Sequence, residues 1–149
     1  MDRCSSLLVI SALMSDKLQR ISVVDDEDSV RKALGRLFFS AGFLVETFAS
    51  AREFLDSLDK HAPDCVVLDL DLPDLSGEEV IQQMRRDKLK LPIVMITGSD
   101  KPGVAKRVLA EGAAAYLLKP VDERDLLGAI AAFTLPSLSE KDAAEPVRT

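Results

Sequence analysis

Short apolar runs recur along the chain at a steady interval: ISVV (21–24), FLVETF (43–48), CVVLDL (65–70), PIVMIT (92–97) and AYLL (115–118). Each is four to six residues long, rich in Val, Ile and Leu, with turn residues nearby. That length and composition predict strands rather than helices. Four of the five show little alternation, so both faces are expected to be buried, as in a parallel sheet. FLVETF carries Glu46 and Thr47 and is the candidate edge strand.

Between these runs the period lengthens. Val30, Leu34, Leu37, Phe38 and Ala41 follow helical spacing behind Asp28, a candidate N-cap, and Gly42 stops the segment. Ser50 opens AREFLDSL, with Phe54, Leu55 and Leu58 inward. Ser76 or Gly77 opens EEVIQQMRRD, whose apolar face is Val80, Ile81 and Met84. Its acidic start and basic end suit the helix dipole. KPGVAKRVLAEG carries Val104, Val108 and Leu109 and ends at Gly112. The last helix, from about Asp122, uses Leu126, Leu127, Ile130 and Phe133.

A βα unit repeated five times predicts an α/β fold, a parallel sheet with helices on both faces. The flavodoxin-like order 2-1-3-4-5 is the common five-strand solution, a three-layer (βα)5 sandwich. Its ligands bind at the carboxyl ends of the strands, near the switch point between strands 1 and 3. Right-handed crossovers narrow the strand order without fixing it.

The expected domain is residues 20–133, with an N-terminal extension over 1–19 and a disordered polar tail over 134–149. In the extension, Arg3 followed by LLVISAL is faintly signal-like, but no small-x-small cleavage site follows, and Cys4 precedes the apolar run. Met14 opens MSDKLQRISVVDD, so residues 1–13 are read as a dispensable extension from an upstream start.

Composition removes several classes. The net charge is −6 and the basic residues are scattered, which argues against a general nucleic-acid binder. Two cysteines, Cys4 and Cys65, and the single His61 supply no metal spacing and no disulfide framework. A reducing cytoplasm is the expected location. Nothing is long enough to span a membrane.

The chemistry lies at the strand ends. Strand 1 ends in Asp25, Asp26 and Glu27, strand 3 in Asp69, strand 4 in Thr97, and strand 5 in Lys119 followed by Pro120. In the expected fold these ends share one rim. Packed carboxylates repel, so either some are protonated or a cation sits among them. All-oxygen ligation with an incomplete protein shell suits Mg²⁺. An aspartate can attack phosphorus to give an acyl phosphate, with Mg²⁺ and a lysine stabilising the charge on the transferring group. The rim therefore reads as a phosphoryl-transfer site.

VVDDE, VVLDLDLPDLSG, VMITGS and AYLLKP, in this order and spacing, resemble the receiver domain of two-component response regulators, a family of CheY-like fold. The resemblance covers residues 20 to about 133. VVDDEDSVRKAL and LDLDLPDLSGEEV are similar to receivers attached to helix-turn-helix transcription factors of the nitrogen-fixation and nitrate-response type. The resemblance implies that Asp69 is the phosphoacceptor. It implies that Asp26 ligates Mg²⁺ directly, that Asp25 assists through water, and that the Asp71 backbone carbonyl is a further ligand. Thr97 matches the switch hydroxyl, Tyr116 the aromatic switch position, and Lys119 the phosphoryl partner, with a cis Lys119–Pro120 bond. Val121 departs from the family, in which an aromatic often follows the Lys-Pro pair.

Plainer readings compete at each position. Asp69 can simply leave a sheet, Asp25 and Asp26 can cap a helix, Thr97 can occupy a turn, and Lys119 can be a surface lysine. Tyr116 reads equally as a half-buried core tyrosine. The Asp71 side chain is expected to be solvated. The rival chemistry is a haloacid-dehalogenase-like phosphohydrolase using Asp69 as nucleophile and Asp71 as acid. Pro73 and the placement of Asp25 and Asp26 before Asp69 count against it.

The resemblance thus implies a phosphoacceptor switch rather than an enzyme, taking its phosphoryl group from a sensor histidine kinase or a histidine phosphotransfer protein. With no output domain read after residue 133, the chain is expected to be a stand-alone receiver, and the roles of messenger, phosphate sink or relay, and fragment of a longer regulator stay open. It would signal to a protein target through the fourth helix, fifth strand and fifth helix, a surface including Lys106, Arg107, Tyr116 and Val121. Homodimerisation through that surface is a family habit. No helix-turn-helix follows residue 133, so no direct DNA binding is expected.

Overall fold

The computed structural model describes residues 19–134. The expected extension before residue 19, with Cys4, and the expected tail from residue 135 lie outside the described residues. Strands and helices alternate strictly. β1 (Arg20–Val24) leads to α1 (Asp28–Ser40), β2 (Leu44–Phe48) to α2 (Ala51–Ser57), and β3 (Cys65–Asp69) to α3 (Gly77–Arg86). β4 (Ile93–Thr97) leads to α4 (Val104–Glu111) and β5 (Ala115–Leu118) to α5 (Glu123–Thr134). All pairings are parallel, in the order β2-β1-β3-β4-β5. The flavodoxin-like order and the edge position of FLVETF are both as the sequence predicts.

Strand periodicity divides the core in two. Ile21, Val23, Cys65, Val67, Val94 and Ile96 face Leu34 and Phe38 of α1 and Leu126 and Ile130 of α5. Val24, Val66, Leu68 and Met95 face the other way, onto Phe54 of α2, Val80, Ile81 and Met84 of α3, and Val108 of α4. Alternate side chains on a pleat point to opposite faces, so a continuous apolar run serves both layers. Burial also pushes the Cys65 thiol up to about 12, with the Asp64 charge adding to the effect and the Val66 amide opposing it.

Three expectations need correction. AYLL is not buried on both faces: its residues are half-buried and Leu118 is 43% exposed. β5 is the second edge of the sheet, so one flank has no neighbouring strand to cover it. Leu109 and Phe133 are exposed rather than core, because the buried stripes of α4 and α5 are completed by Val104 and Val108, and by Leu126 and Ile130. Asp28 is the first residue of α1, not its cap. Glu27 occupies the cap position, and Asp28 pairs instead with Arg31 and Lys32 one turn on.

α2 and α3 start on their sequence signals. Ser50 accepts from the Glu53 amide, and Ser76 and Glu79 form a reciprocal capping box. Gly77 starts α3 with its amide donating to the Leu70 carbonyl at 2.8 Å. That contact pulls the helix onto the segment that follows Asp69. A Cβ at Gly77 would lie 2.7 Å from Met95 Sδ and 3.1 Å from Leu70 Cα. Gly77→Ala is therefore expected to cost about 1–3 kcal/mol by overpacking. Urea denaturation of the variant against wild type measures this; an unchanged midpoint would contradict it.

Candidate functional site

β1 and β3 are neighbours, paired in register up to Val24 with Leu68. The next residue of each is an aspartate, so Asp25 and Asp69 leave the sheet side by side. Both are buried, at 0% and 4% exposure, whereas Asp26 faces outward. Asp25, Asp26 and Asp69 each offer an oxygen, and these three atoms lie within 4.8 Å of one another. Asp25 Oδ1 accepts from the Glu27 amide at 2.8 Å, and the Asp25 carbonyl accepts from the Arg31 guanidinium at 2.7 Å. Asp69 Oδ1 accepts from the Asp71 amide at 3.0 Å.

Lys119 arrives from β5. Its amide donates to the Thr97 carbonyl at 2.7 Å, which continues the β4–β5 ladder by one residue. The Lys119–Pro120 bond is cis, as the resemblance implies. The ammonium lies 2.8 Å from Asp25 Oδ2, 3.0 Å from Glu27 Oε1 and 3.3 Å from Asp69 Oδ2. Burial alone would lower its pKa. The close contacts with Asp25 and Glu27, with the charges of Asp69 and Asp25, outweigh burial and raise it above the usual lysine value. Burial pushes the Asp69 carboxyl up, and the Asp25 charge adds to it, against the Asp71 amide and the Lys119 ammonium.

This donor set fits a small hard cation. Lys119 answers three carboxylates at once, and Asp26 adds a fourth to the cluster. Asp25 Oδ2 is buried with no aligned hydrogen bond, and its compensation is the neighbouring ammonium charge. An all-oxygen cluster with excess negative charge, open on the Asp26 side, can hold a metal ion.

Thr97 is close by but faces elsewhere. Fully buried at the end of β4, its hydroxyl donates to Asp71 Oδ2 at 2.9 Å, with the Ser99 carbonyl at 3.3 Å as the longer alternative. The Ser99 amide donates back to Thr97 Oγ1 at 3.1 Å. The Asp71 side chain is thus not merely solvated, as expected: although the residue is exposed, its carboxylate is the acceptor for Thr97. The Tyr116 hydroxyl is buried without a hydrogen-bond partner among the described residues. Burial raises its pKa, and the charges of Asp100 and Asp71 add to the shift. Arg107 of the expected output surface is tied to Glu78 of α3, and Val121 packs on the α1–α5 side of the sheet, away from Tyr116.

Two pairings follow no local sequence pattern. Glu27 was visible as a strand-end acid, but its pairing with Lys119 spans 92 positions, and no local pattern announces that. Asp74, after Pro73, accepts from the amides of Ala51 at 3.2 Å and Arg52 at 2.9 Å. It closes the first turn of α2 from the loop that follows β3. Burial opposes ionisation of Asp74, but the Arg52 and Ala51 amides win and hold its carboxyl below the ordinary value of 3.8. The bond therefore contributes above that value and is lost as the pH falls through the lowered one. Asp74→Ala is expected to cost about 1 kcal/mol at neutral pH, the scale of a lost helix cap. The difference should shrink as the pH is taken from neutral to below that lowered value, where wild-type Asp74 is protonated in both states. Thermal unfolding at the two pH values checks it; a pH-independent cost would point to packing instead.

Residues 21–131 match the family described as the response regulator receiver domain. The chain is 37% identical over 119 residues to the response regulator protein TodT of Pseudomonas putida, covering 80% of this chain and 52% of that one. It is 34% identical over 121 residues to the transcriptional regulatory protein TdiR of Thauera aromatica, covering 81% and 53%. The fold superimposes on the crystal structure of a CheY-like response regulator receiver domain protein from Methanospirillum hungatei JF-1 with a TM-score of 0.75, at 29% identity, covering 83% of this chain and 98% of that one. The chain spans about half the length of the curated relatives it matches. The expectation of no direct DNA binding is thereby overturned. It rested on the lack of a helix-turn-helix after residue 133, yet the relatives are about twice as long and include a regulator of transcription. No helix among the described residues is long and apolar enough to cross a membrane.

Proposed function

The chain belongs to the response regulator receiver domain family of two-component signalling, and we propose that Asp69 is its phosphoacceptor, charged by a sensor histidine kinase or a histidine phosphotransfer protein. The supporting observation is the convergence at Asp69. A lysine 50 positions away lies 3.3 Å from its carboxylate, and the oxygens of Asp25 and Asp26 are within 4.8 Å.

In the proposed reaction an Asp69 oxygen attacks phosphorus. The phosphorus–oxygen bond forms as the phosphorus–nitrogen bond to the donor histidine breaks, and the imidazole leaves with the bonding pair. Asp25, Asp26 and Asp69, with the Asp71 carbonyl, would hold Mg²⁺. The ion would supply charge neutralisation to the transferring group. Lys119 would follow the new phosphoryl oxygens; in support, its ammonium lies 2.8 Å from Asp25 and 3.3 Å from Asp69. Thr97 and Tyr116 are the proposed switch pair. Their rearrangement would alter the α4–β5–α5 surface read by a downstream partner, by biasing a pre-existing equilibrium. The domain is proposed to act as a switch whose only chemistry is its own phosphorylation and dephosphorylation. Family membership weighs against the phosphohydrolase alternative.

Intact-protein mass spectrometry after incubation with Mg²⁺ and a small acyl-phosphate donor tests this. One phosphoryl adduct per chain is expected. Steady turnover of phosphate monoesters with no adduct would return the phosphohydrolase reading.

A further inference from the structure

The Thr97 hydroxyl has one proton and a choice of destinations. It is fully buried, so it must find an acceptor. It uses Asp71 Oδ2 at 2.9 Å in preference to the Ser99 carbonyl at 3.3 Å. A hydrogen bond to an ionised acceptor is roughly twice as strong as a neutral one, so the carboxylate is the stronger claimant. Asp71 lies two residues beyond Asp69, and the same short segment ties its amide to Asp69 Oδ1. Thr97 is therefore tied to a side chain two residues past the proposed phosphoacceptor. To reach a phosphoryl group on Asp69 the hydroxyl must first leave Asp71.

We propose that the Asp71 carboxylate is a latch: it holds the Thr97 hydroxyl in the resting position and sets how readily the switch closes on a phosphorylated Asp69. The latch rests on the phosphoacceptor reading above. It makes Asp71 a positioning residue that acts through Thr97. A smaller or non-accepting side chain here would favour the closed state in the absence of phosphate. Asp71 is exposed, so its replacement leaves no cavity.

The latch competes with a simpler effect. Removing Asp71 also removes a negative charge near an incoming anion, which by itself would tighten anion binding. A double-mutant cycle separates the two, because a latch needs the Thr97 hydroxyl and charge relief does not. The measurement is calorimetric titration of beryllofluoride, a tetrahedral phosphoryl mimic, in the presence of Mg²⁺. The proteins are wild type, Asp71→Ala, Asp71→Asn, Thr97→Ala and the Asp71→Ala/Thr97→Ala pair.

Asp71→Ala is expected to tighten binding about tenfold, the scale of one hydrogen bond to a charged acceptor. Asp71→Asn keeps an acceptor oxygen and is expected to tighten binding less. In the Thr97→Ala background the Asp71→Ala change is expected to have no effect. Equal tightening in both backgrounds would mean charge relief and overturn the latch, as would unchanged affinity of Asp71→Ala. Failure of folded wild-type protein to take up beryllofluoride at all would overturn the phosphoacceptor reading, and the latch with it.

Discussion

Asp69→Asn is expected to abolish the phosphoryl adduct completely. The amide oxygen keeps the shape of the carboxylate but is a far weaker nucleophile, so the loss is all-or-none rather than graded. The same substitution should raise stability at neutral pH in the metal-free protein. Burial and the Asp25 charge push the Asp69 carboxyl above its ordinary value of 3.8, so its ionised form is disfavoured by folding. A carboxylate of this kind weakens the fold at pH values above its raised pKa, and the penalty disappears as the pH falls to where it is protonated in both states. The asparagine variant should therefore melt higher than wild type at neutral pH, and the gap should close in acid. Mass spectrometry and thermal melts on the same two proteins check both halves. A phosphoryl adduct on Asp69→Asn, at another carboxylate, would refute the assignment. A lower melting temperature at neutral pH would show that the bonds to Lys119 and the Asp71 amide outweigh the repulsion.

Lys119→Met has the next largest expected effect, and it divides into chemistry and stability. In the proposed reaction charge would develop beside Asp69, whose carboxylate lies 3.3 Å from this ammonium. Removing such a preorganised donor costs about 100- to 1,000-fold in rate. For stability, Asp25 is fully buried and Oδ2 is compensated by that ammonium. Breaking one side of a buried ion pair costs about 3–5 kcal/mol when the remaining charge has no replacement. A divalent cation is such a replacement. Mg²⁺ should therefore raise the melting temperature of Lys119→Met more than that of wild type, by binding the native state alone. Melts with and without Mg²⁺ decide the matter. Equal shifts in both proteins would mean that Asp25, Asp26 and Asp69 do not hold the ion.

The two halves of the site differ in how local they are. Asp25 with Asp26 and Asp69 with Asp71 are close pairs at the ends of apolar runs, so their chemistry is readable in a short window. The alternation of two-residue and 3.6-residue periods is equally local, as are the Ser50 and Ser76 caps and the stops at Gly42 and Gly112. These patterns, with the general handedness of parallel connections, predicted the layers, the elements and the rim on which the acids meet. The motif resemblance supplied the roles proposed for these residues.

Tertiary structure decided what depends on partners distant in sequence. Whether a strand is buried on both faces depends on its neighbours, so AYLL reads like a central strand and is an edge. Lys119 reaches Glu27 across 92 positions and Asp69 across 50, Asp74 reaches Arg52 across 22, and Thr97 reaches Asp71 across 26. Hydrogen bonds and ion pairs act over about 3 Å, and only the folded sheet brings such residues that close. Which acceptor holds the one proton of Thr97 is a matter of distance, 2.9 Å against 3.3 Å, and no reading of the chain in one dimension contains it.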